Sequence, residues 1–326
     1  MLITAIIPNW NRAPLLAAAL ESLRRQTRTP EEIIVVDNGS SDDSASVARA
    51  AGARLIEMGE NAGFARAVNA GIEGAAGEFI AILNNDVELD ASWLQTLVDR
   101  LERDEGYGFA TGKLHSSDGL IDGTWDSVCR GGCAWRCGQG RPDGDQWSVE
   151  RPIHFAPLTA AVFRREVFAG IGKLDYIYES YLEDIDFGFR CAMGGVTGVY
   201  VPEATGRHRG SATYGQWSYD TVRLLARNQI LLIGRNYPDT WLRRYGWPVM
   251  VAQVLWGAVA MRHGQFRAYA RGRMEGVRLF RAVRRNRPMH DAQAFDKLLT
   301  EAEQEIRTLQ EATGYDLFWR LYFALT

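Results

Sequence analysis

Two short acidic clusters define the chemistry open to this chain. Asn84-Asn85-Asp86 follows the apolar run Phe79–Leu83, and Glu183-Asp184-Ile185-Asp186 lies about a hundred residues later. An aspartate at the end of a strand, as Asp86 would be, suits a hard divalent cation whose other positions take diphosphate oxygens and water. Such a cation stabilises the charge of a departing nucleotide diphosphate. Carboxylates at a helix start are favoured by the exposed amides and dipole there, so capping accounts for at least one of Glu183, Asp184 and Asp186. One carboxylate suffices as a general base that takes the proton from an attacking hydroxyl, and the residues alone leave both Glu183 and Asp184 open. Asp186 and Arg190 are spaced to pair across one helical turn.

The elements that must position these groups read as alternating strands and helices. Leu2–Ile7 is a branched-rich strand ending at Pro8, followed by a helix with Leu16, Ala19, Leu20 and Leu23 on one stripe and Asn11 as its expected cap. Ile33–Val36 is a buried strand running into the turn Asp37-Asn38-Gly39-Ser40. Arg54–Glu57 and Phe79–Leu83 are further strands; Phe64, Val68 and Ile72, then Trp93, Leu94, Leu97, Val98 and Leu101, mark the helices after them. This is an α/β pattern with a mostly parallel sheet, in which ligands sit beyond the carboxyl ends of the strands. Pro8, Asp37 and Asp86 all fall at such ends. Residues 106–151 are expected to be irregular or hairpin-like, 153–163 and 196–201 to return to strand, and the chain from Tyr219 onward to be helical.

At 326 residues, 46% hydrophobic and with a net charge of -3, the chain is globular in composition, and the totals select no partner. Its four cysteines are too few for a disulfide scaffold, and no signal-type stretch follows Met1, which gives a cytoplasmic expectation. Cys129, Cys133 and Cys137 recur every four residues, but Gly131, Gly132 and Gly138 oppose a helix there. Free thiols are therefore expected, rather than a zinc site completed by Cys191. Nine arginines and one acidic residue, Glu275, occupy 262–287, directly after the apolar run 249–261. Two readings stand for 246–287: a peripheral contact with an anionic membrane face, or a buried helix and a solvated one that pair with neighbours or a second subunit. Nucleic acid is not an expected partner, because apolar residues interrupt the arginines.

Taken together, Pro8-Asn9-Trp10-Asn11-Arg12, Val35-Val36-Asp37-Asn38-Gly39-Ser40-Ser41-Asp42, Asn61-Ala62-Gly63-Phe64-Ala65 with Asn69 and Gly71, Asn84-Asn85-Asp86-Val87 and Glu183-Asp184-Ile185-Asp186 with Arg190 resemble the family 2 glycosyltransferases, most of all their bacterial rhamnosyltransferase-like branch. The motifs occur in the family's order across residues 2–215. The resemblance implies a GT-A nucleotide-sugar-binding fold over 1–215, with a donor half at about 1–105, an acceptor half at about 106–215 and a helical extension at 216–326. It implies donor-site roles for Pro8, Trp10, Asn11, Arg12, Asp37, Gly63, Phe64, Arg66 and Asn85, with Phe64 equally suited to simple packing. Asn84-Asn85-Asp86 matches the family's Asp-X-Asp metal motif with its first acid replaced, so Asp86 is left as the carboxylate for Mg²⁺ or Mn²⁺. Asp184 matches the position of the catalytic base, with Glu183, Asp186 and Arg190 supporting on the acceptor side. His208, in a basic loop, matches a late histidine that reaches the donor phosphates or the metal.

The reaction so implied is an inverting single displacement from a nucleotide-diphosphate sugar, first choice dTDP-rhamnose, to a saccharide or polyprenyl-linked saccharide for cell-surface polysaccharide. Transfer of another hexose from a UDP, dTDP or GDP donor is the nearest alternative. A nicotinamide oxidoreductase is disfavoured, since Pro8–Arg12 lacks the glycine pattern that brings a helix start to a pyrophosphate. A sugar nucleotidyltransferase, releasing pyrophosphate instead, and an inactive nucleotide-sugar-binding assembly protein complete the rivals.

Overall fold

The computed structural model describes residues 1–209 and 217–326. Two compact units emerge, Met1–Trp125 with Gly138–Thr213 and Asp126–Cys137 with Tyr214–Thr326. The boundary expected at 215/216 lies outside the described residues. Asp126–Cys137, expected within 106–215, groups with the helical unit because its polar atoms are satisfied there: Ser127 donates to the Ala302 carbonyl at 3.0 Å, and Arg130 pairs with Glu303 at 2.6 Å.

The strands are β1 (Ile3–Asn9), β2 (Glu32–Asp37), β3 (Arg54–Glu57), β4 (Phe79–Leu83), β5 (Val87–Leu89), β6 (Tyr107–His115), β7 (Ile121–Gly123), β8 (Asp126–Val128), β9 (Ala134–Arg136), β10 (Arg151–Ile153), β11 (Ala160–Arg164) and β12 (Thr197–His208). In the first unit they form one ten-stranded sheet, ordered β10-β12-β6-β11-β4-β1-β2-β3, with β5 also on β12 and β7 on β6. β3, β2, β1 and β4 run parallel, as do β6 and β12, while β11 is antiparallel to both its neighbours. β1 is buried at every position, which is why it reads as a continuous apolar run. It passes through Pro8, which sits opposite Val36, and ends at Asn9.

Helices α1 (Ala13–Arg24), α2 (Ser44–Ala50), α3 (Phe64–Gly74), α4 (Trp93–Arg103), α5 (Arg165–Ile171) and α6 (Glu183–Met193) flank the sheet. The expected stripes of α1 and α4 are the buried ones, and Leu16, Leu20, Leu23, Leu94, Leu97 and Leu101 join β1 and β4 in one core.

Two expectations fail. The 106–151 segment holds an expected hairpin, β8 with β9, but begins with β6, a nine-residue strand inside the sheet; and 153–163 is not one strand but β10 and β11 with a loop between. Gly108 and Gly112 break the apolar pattern of β6 for a packing reason: a Cβ at 112 would stand 1.9 Å from the Ala204 carbonyl oxygen of β12. Gly112→Ala must therefore push two backbones apart. The expected loss is about 3 kcal/mol, read as a lower midpoint in urea unfolding with an unchanged slope.

The second unit holds the hairpin of β8 and β9 with α7 (Tyr219–Asn236), α8 (Trp241–Arg262), α9 (Phe266–Arg285), α10 (Ala292–Thr313) and α11 (Leu317–Leu325). Cys129 and Cys133 face each other across the hairpin turn, with the Cys129 amide on the Cys133 carbonyl at 3.0 Å. All four cysteines are free and buried. The Cys129 thiol and burial push the Cys133 thiol up, and burial pushes Cys191 up to about 12, as expected of packed, unreactive thiols.

Candidate active site

The parallel strands bring Asn9, Asp37 and the Asn84–Asp86 segment to one edge of the first unit. Their loops are tied together by side-chain hydrogen bonds. Asn85 Nδ2 donates to Asn9 Oδ1 at 2.7 Å, and Asn9 Nδ2 donates to Ser40 Oγ at 3.3 Å. The Asn11 amide donates to Ser40 Oγ at 2.7 Å, and Asn11 Oδ1 accepts from the Ser41 amide at 2.9 Å. Asn11 is thus a latch between two loops rather than the cap of α1. The α1 N-cap is Arg12, with φ 67°, and the Ala13 amide is satisfied by Asp42 Oδ2 at 2.9 Å. Burial raises the Asp42 carboxyl, but hydrogen bonds from Ser44 and the Ala13 amide outweigh it and hold it below the usual range. Pro8 is buried, Trp10 half-buried and Arg12 exposed. Asp37 Oδ2 accepts from the Ser40 amide at 3.2 Å, while Asp37 Oδ1 is buried without a partner.

The path continues through Asn38. Its side chain donates to Asn61 Oδ1 at 3.0 Å and accepts from the Ala62 amide at 2.9 Å, fixing the loop that carries Gly63. Gly63 has φ 88°, and a Cβ there would stand 2.9 Å from the Glu179 carbonyl oxygen, so only glycine allows this approach. The open amides at the start of α3 are met from the other motif: Phe64 N donates to Ser180 Oγ at 3.3 Å and Ala65 N to Glu179 O at 3.1 Å. Glu179, Tyr181 and Leu182, at φ 60°, 72° and 67°, then turn the chain into α6. Non-glycine residues in that region cost about 1 kcal/mol each, which the surrounding bonds must offset. Phe64 is only half-buried at the head of α3, and Arg66 lies 4.4 Å from the Tyr176 ring centroid.

The three acids of α6 separate by environment. Asp186 is fully buried, takes Arg190 Nε at 3.0 Å and accepts from Tyr178 OH at 3.1 Å. Arg190 also donates to the Ile171 and Lys173 carbonyls. This pair anchors α6. Glu183 is 5% exposed, whereas Asp184 is more open and accepts from the Ile185 amide at 2.8 Å.

On the far side of Asp86, β12 pairs with β5 in the register His208↔Val87 and so delivers His208 beside it. His208 Nε2 lies 3.1 Å from Asp86 Oδ1, and Nδ1 lies 2.8 Å from Asp122 Oδ2 on β7. Burial lowers the imidazole, but the bonds to Asp122 and Asp86 outweigh it and hold it up at about 9. Asp122 is the residue that the sequence reading missed. No local motif marks it; only the pairing of β7 with β6 places it. Among the described residues, no three His, Cys, Asp or Glu side chains form a ready metal cage. A cavity of about 310 Å³ lined by His115, Ser116, Thr205 and Arg207 includes none of the candidate residues.

The chain matches the model of glycosyl transferase family 2 over residues 4–172. It is 26% identical over 279 residues to an N-acetylglucosaminyl-diphospho-decaprenol L-rhamnosyltransferase from Mycobacterium tuberculosis, covering 78% of this chain and 89% of that one. It is 29% identical over 223 residues to an O-antigen biosynthesis protein from Myxococcus xanthus, covering 65% of this chain and 17% of that one. Among solved structures, the mannosyltransferase PcManGT from Pyrobaculum calidifontis, in complex with GDP-Man and Mn²⁺, superposes with a TM-score of 0.54 at 17% identity. That alignment covers 99% of this chain and 86% of the other, a likeness of fold. Sheet order, motif placement and family match agree: the fold is of the GT-A type, and the chain is an enzyme belonging to glycosyl transferase family 2.

Proposed function

We propose that the enzyme moves a sugar, first choice rhamnose from dTDP-rhamnose, to a hydroxyl of a polyprenyl-linked saccharide, with inversion at the anomeric carbon. The reading is carried by the hydrogen-bonded path that joins the donor-side strand ends to the acidic start of α6. The rhamnosyltransferase relative supports the choice of sugar and of a lipid-linked acceptor. Asp37, the Pro8–Arg12 segment at the end of β1 and the Gly63–Arg66 segment hold the nucleotide. Asp184 takes the acceptor proton as the hydroxyl oxygen bonds to the anomeric carbon and the diphosphate leaves with the electron pair. Asp186 and Arg190 hold α6 in position for that transfer.

The residues present fit a divalent cation. Asp122 on Nδ1 turns His208 Nε2 toward Asp86, the arrangement by which a carboxylate orients a ligating imidazole. Mg²⁺ or Mn²⁺ would be held by Asp86 and by His208 Nε2 once that nitrogen gives up the proton it shares with Asp86, and would supply charge neutralisation for the leaving group. Asp122→Asn is expected to weaken Mn²⁺ binding by about tenfold or more. A paramagnetic resonance titration in the presence of dTDP measures this, and unchanged affinity removes Asp122 from the site.

A panel of nucleotide sugars and acceptors with metal, followed by released nucleotide and glycosylated product, tests the whole reading. Acceptor-dependent release of dTDP with a rhamnosylated product supports it. Donor binding without turnover leaves an assembly protein, and a different productive donor reassigns the sugar. No helix among the described residues is long and apolar enough to cross a membrane. The segment 246–287 is the proposed place of peripheral membrane contact, with a homodimer formed there as the alternative.

A further inference from the structure

α8 carries no charged residue from Tyr245 to Met261 and no acidic residue anywhere. Tyr245, Val251, Ala252, Gln253 and Ala260 pack inward, while the opposite side is bare. Trp247 is 56% exposed, Met250 50%, Val254 66% and Met261 60%, with Ala258 exposed between them. At 3.6 residues per turn these five positions fall within an arc of about 80°. Arg243 continues that line at one end and Arg262 lies beside the other. α11 shows a second bare stripe of Leu317, Leu321 and Leu325, again without an acidic residue. The stripes meet where Trp247 Nε1 donates to the Leu325 carbonyl at 2.7 Å.

We propose that this face of the second unit rests on an anionic lipid surface. Apolar side chains would enter the acyl boundary while Trp247 and the flanking arginines sit at the headgroups. The arginines divide accordingly. Arg271, Arg273, Arg284 and Arg287 are engaged within the unit by Glu275, Gln253 and Asp239. Arg243, Arg262, Arg267 and Arg320 are exposed and make no side-chain hydrogen bond or ion pair among the described residues. Exposed Arg278, Arg281 and Arg285 extend the positive field along α9.

A second copy of the chain is the rival occupant, since steps of three and four residues also make helix seams. Charge weighs against it. Two-fold pairing of this stripe sets Arg243 against Arg262 if the helices run antiparallel, and each arginine against itself if they run parallel. An anionic surface answers the same charges with attraction.

This inference extends the reading of a lipid-linked acceptor, and its test involves no turnover. Full-length protein is floated with phosphatidylcholine vesicles, with and without phosphatidylglycerol, at low and high salt. Binding is expected to require the anionic lipid and to weaken with salt. Met250→Glu with Val254→Glu should lower the bound fraction roughly tenfold. Arg243→Gln, Arg262→Gln and Arg267→Gln together should lower it severalfold, with thermal unfolding near wild type. Should the Glu variant unfold, amide exchange in wild type replaces it: vesicles should slow exchange across 246–261 and 317–325.

Absent flotation, unchanged exchange in both helices, or a lipid-free dimer that Met250→Glu dissolves would overturn the proposal. Flotation without transfer to any lipid-linked acceptor supports the surface and overturns the acceptor reading.

Discussion

Asp184→Asn is expected to keep donor binding and lose roughly a thousandfold of kcat, a barrier increase of about 4 kcal/mol. Asparagine preserves the acceptor that Oδ1 offers the Ile185 amide at 2.8 Å. What it removes is the capacity to take a proton. The measurement pairs steady-state release of nucleotide with calorimetric donor affinity: unchanged affinity with lost kcat assigns the base. A kcat within tenfold of wild type would transfer the role to Glu183, to be checked by Glu183→Gln.

Two residues on, the same helix gives the opposite expectation. Asp186→Ala should cost roughly 3–5 kcal/mol of stability, with kcat per folded molecule falling far less than in Asp184→Asn, because α6 loses an anchor but keeps its base. Asp186 has no exposed surface, and its removal leaves the Arg190 guanidinium, whose side chain is 11% exposed, with two backbone carbonyls but without its carboxylate, and takes away the acceptor of the Tyr178 hydroxyl. Denaturant unfolding gives the stability and active-site titration the folded fraction. A variant of wild-type stability with no turnover would instead move Asp186 into the catalytic machinery. The two substitutions separate a carboxylate that works from one that holds.

The sequence revealed most where one physical signal dominated. β1, β2 and β4 are buried on both faces, so their apolar runs mark them, and α1 and α4 show their stripes because one side alone meets the core. β6 escaped because its pattern is broken by Gly108 and Gly112, whose necessity lies in Val196 and Ala204 far along the chain. Asn11 misled for a related reason. A polar residue ahead of a helix is a natural cap, yet Ser40 and Ser41 from another loop claim it first.

Within the proposed site, the acidic motifs pointed to Asp86 and to the Asp186–Arg190 spacing, while only the family resemblance separated Asp184 from Glu183. The motifs held no trace of Asp122, whose place depends on how β7, β6 and β12 pair. The arginine-rich segment was visible as composition only. Its division into inward-paired and exposed arginines needed side-chain positions.

The capping of α3 by Glu179 and Ser180 also sets an order of events during synthesis. The amides at the head of that helix wait for partners 114 and 116 residues downstream, so a nascent chain that ends before residue 179 carries α3 with its first turn unmet. The parallel strands can assemble early and Asn38 can fix the loop ahead of Gly63, but the head of α3 settles only after the late segment arrives, a long-range closure that slows the last stage of folding. A ribosome-released fragment of residues 1–105 would accordingly show a sheet with a fraying α3, and the head of that helix would become rigid only as the rest of the unit is translated.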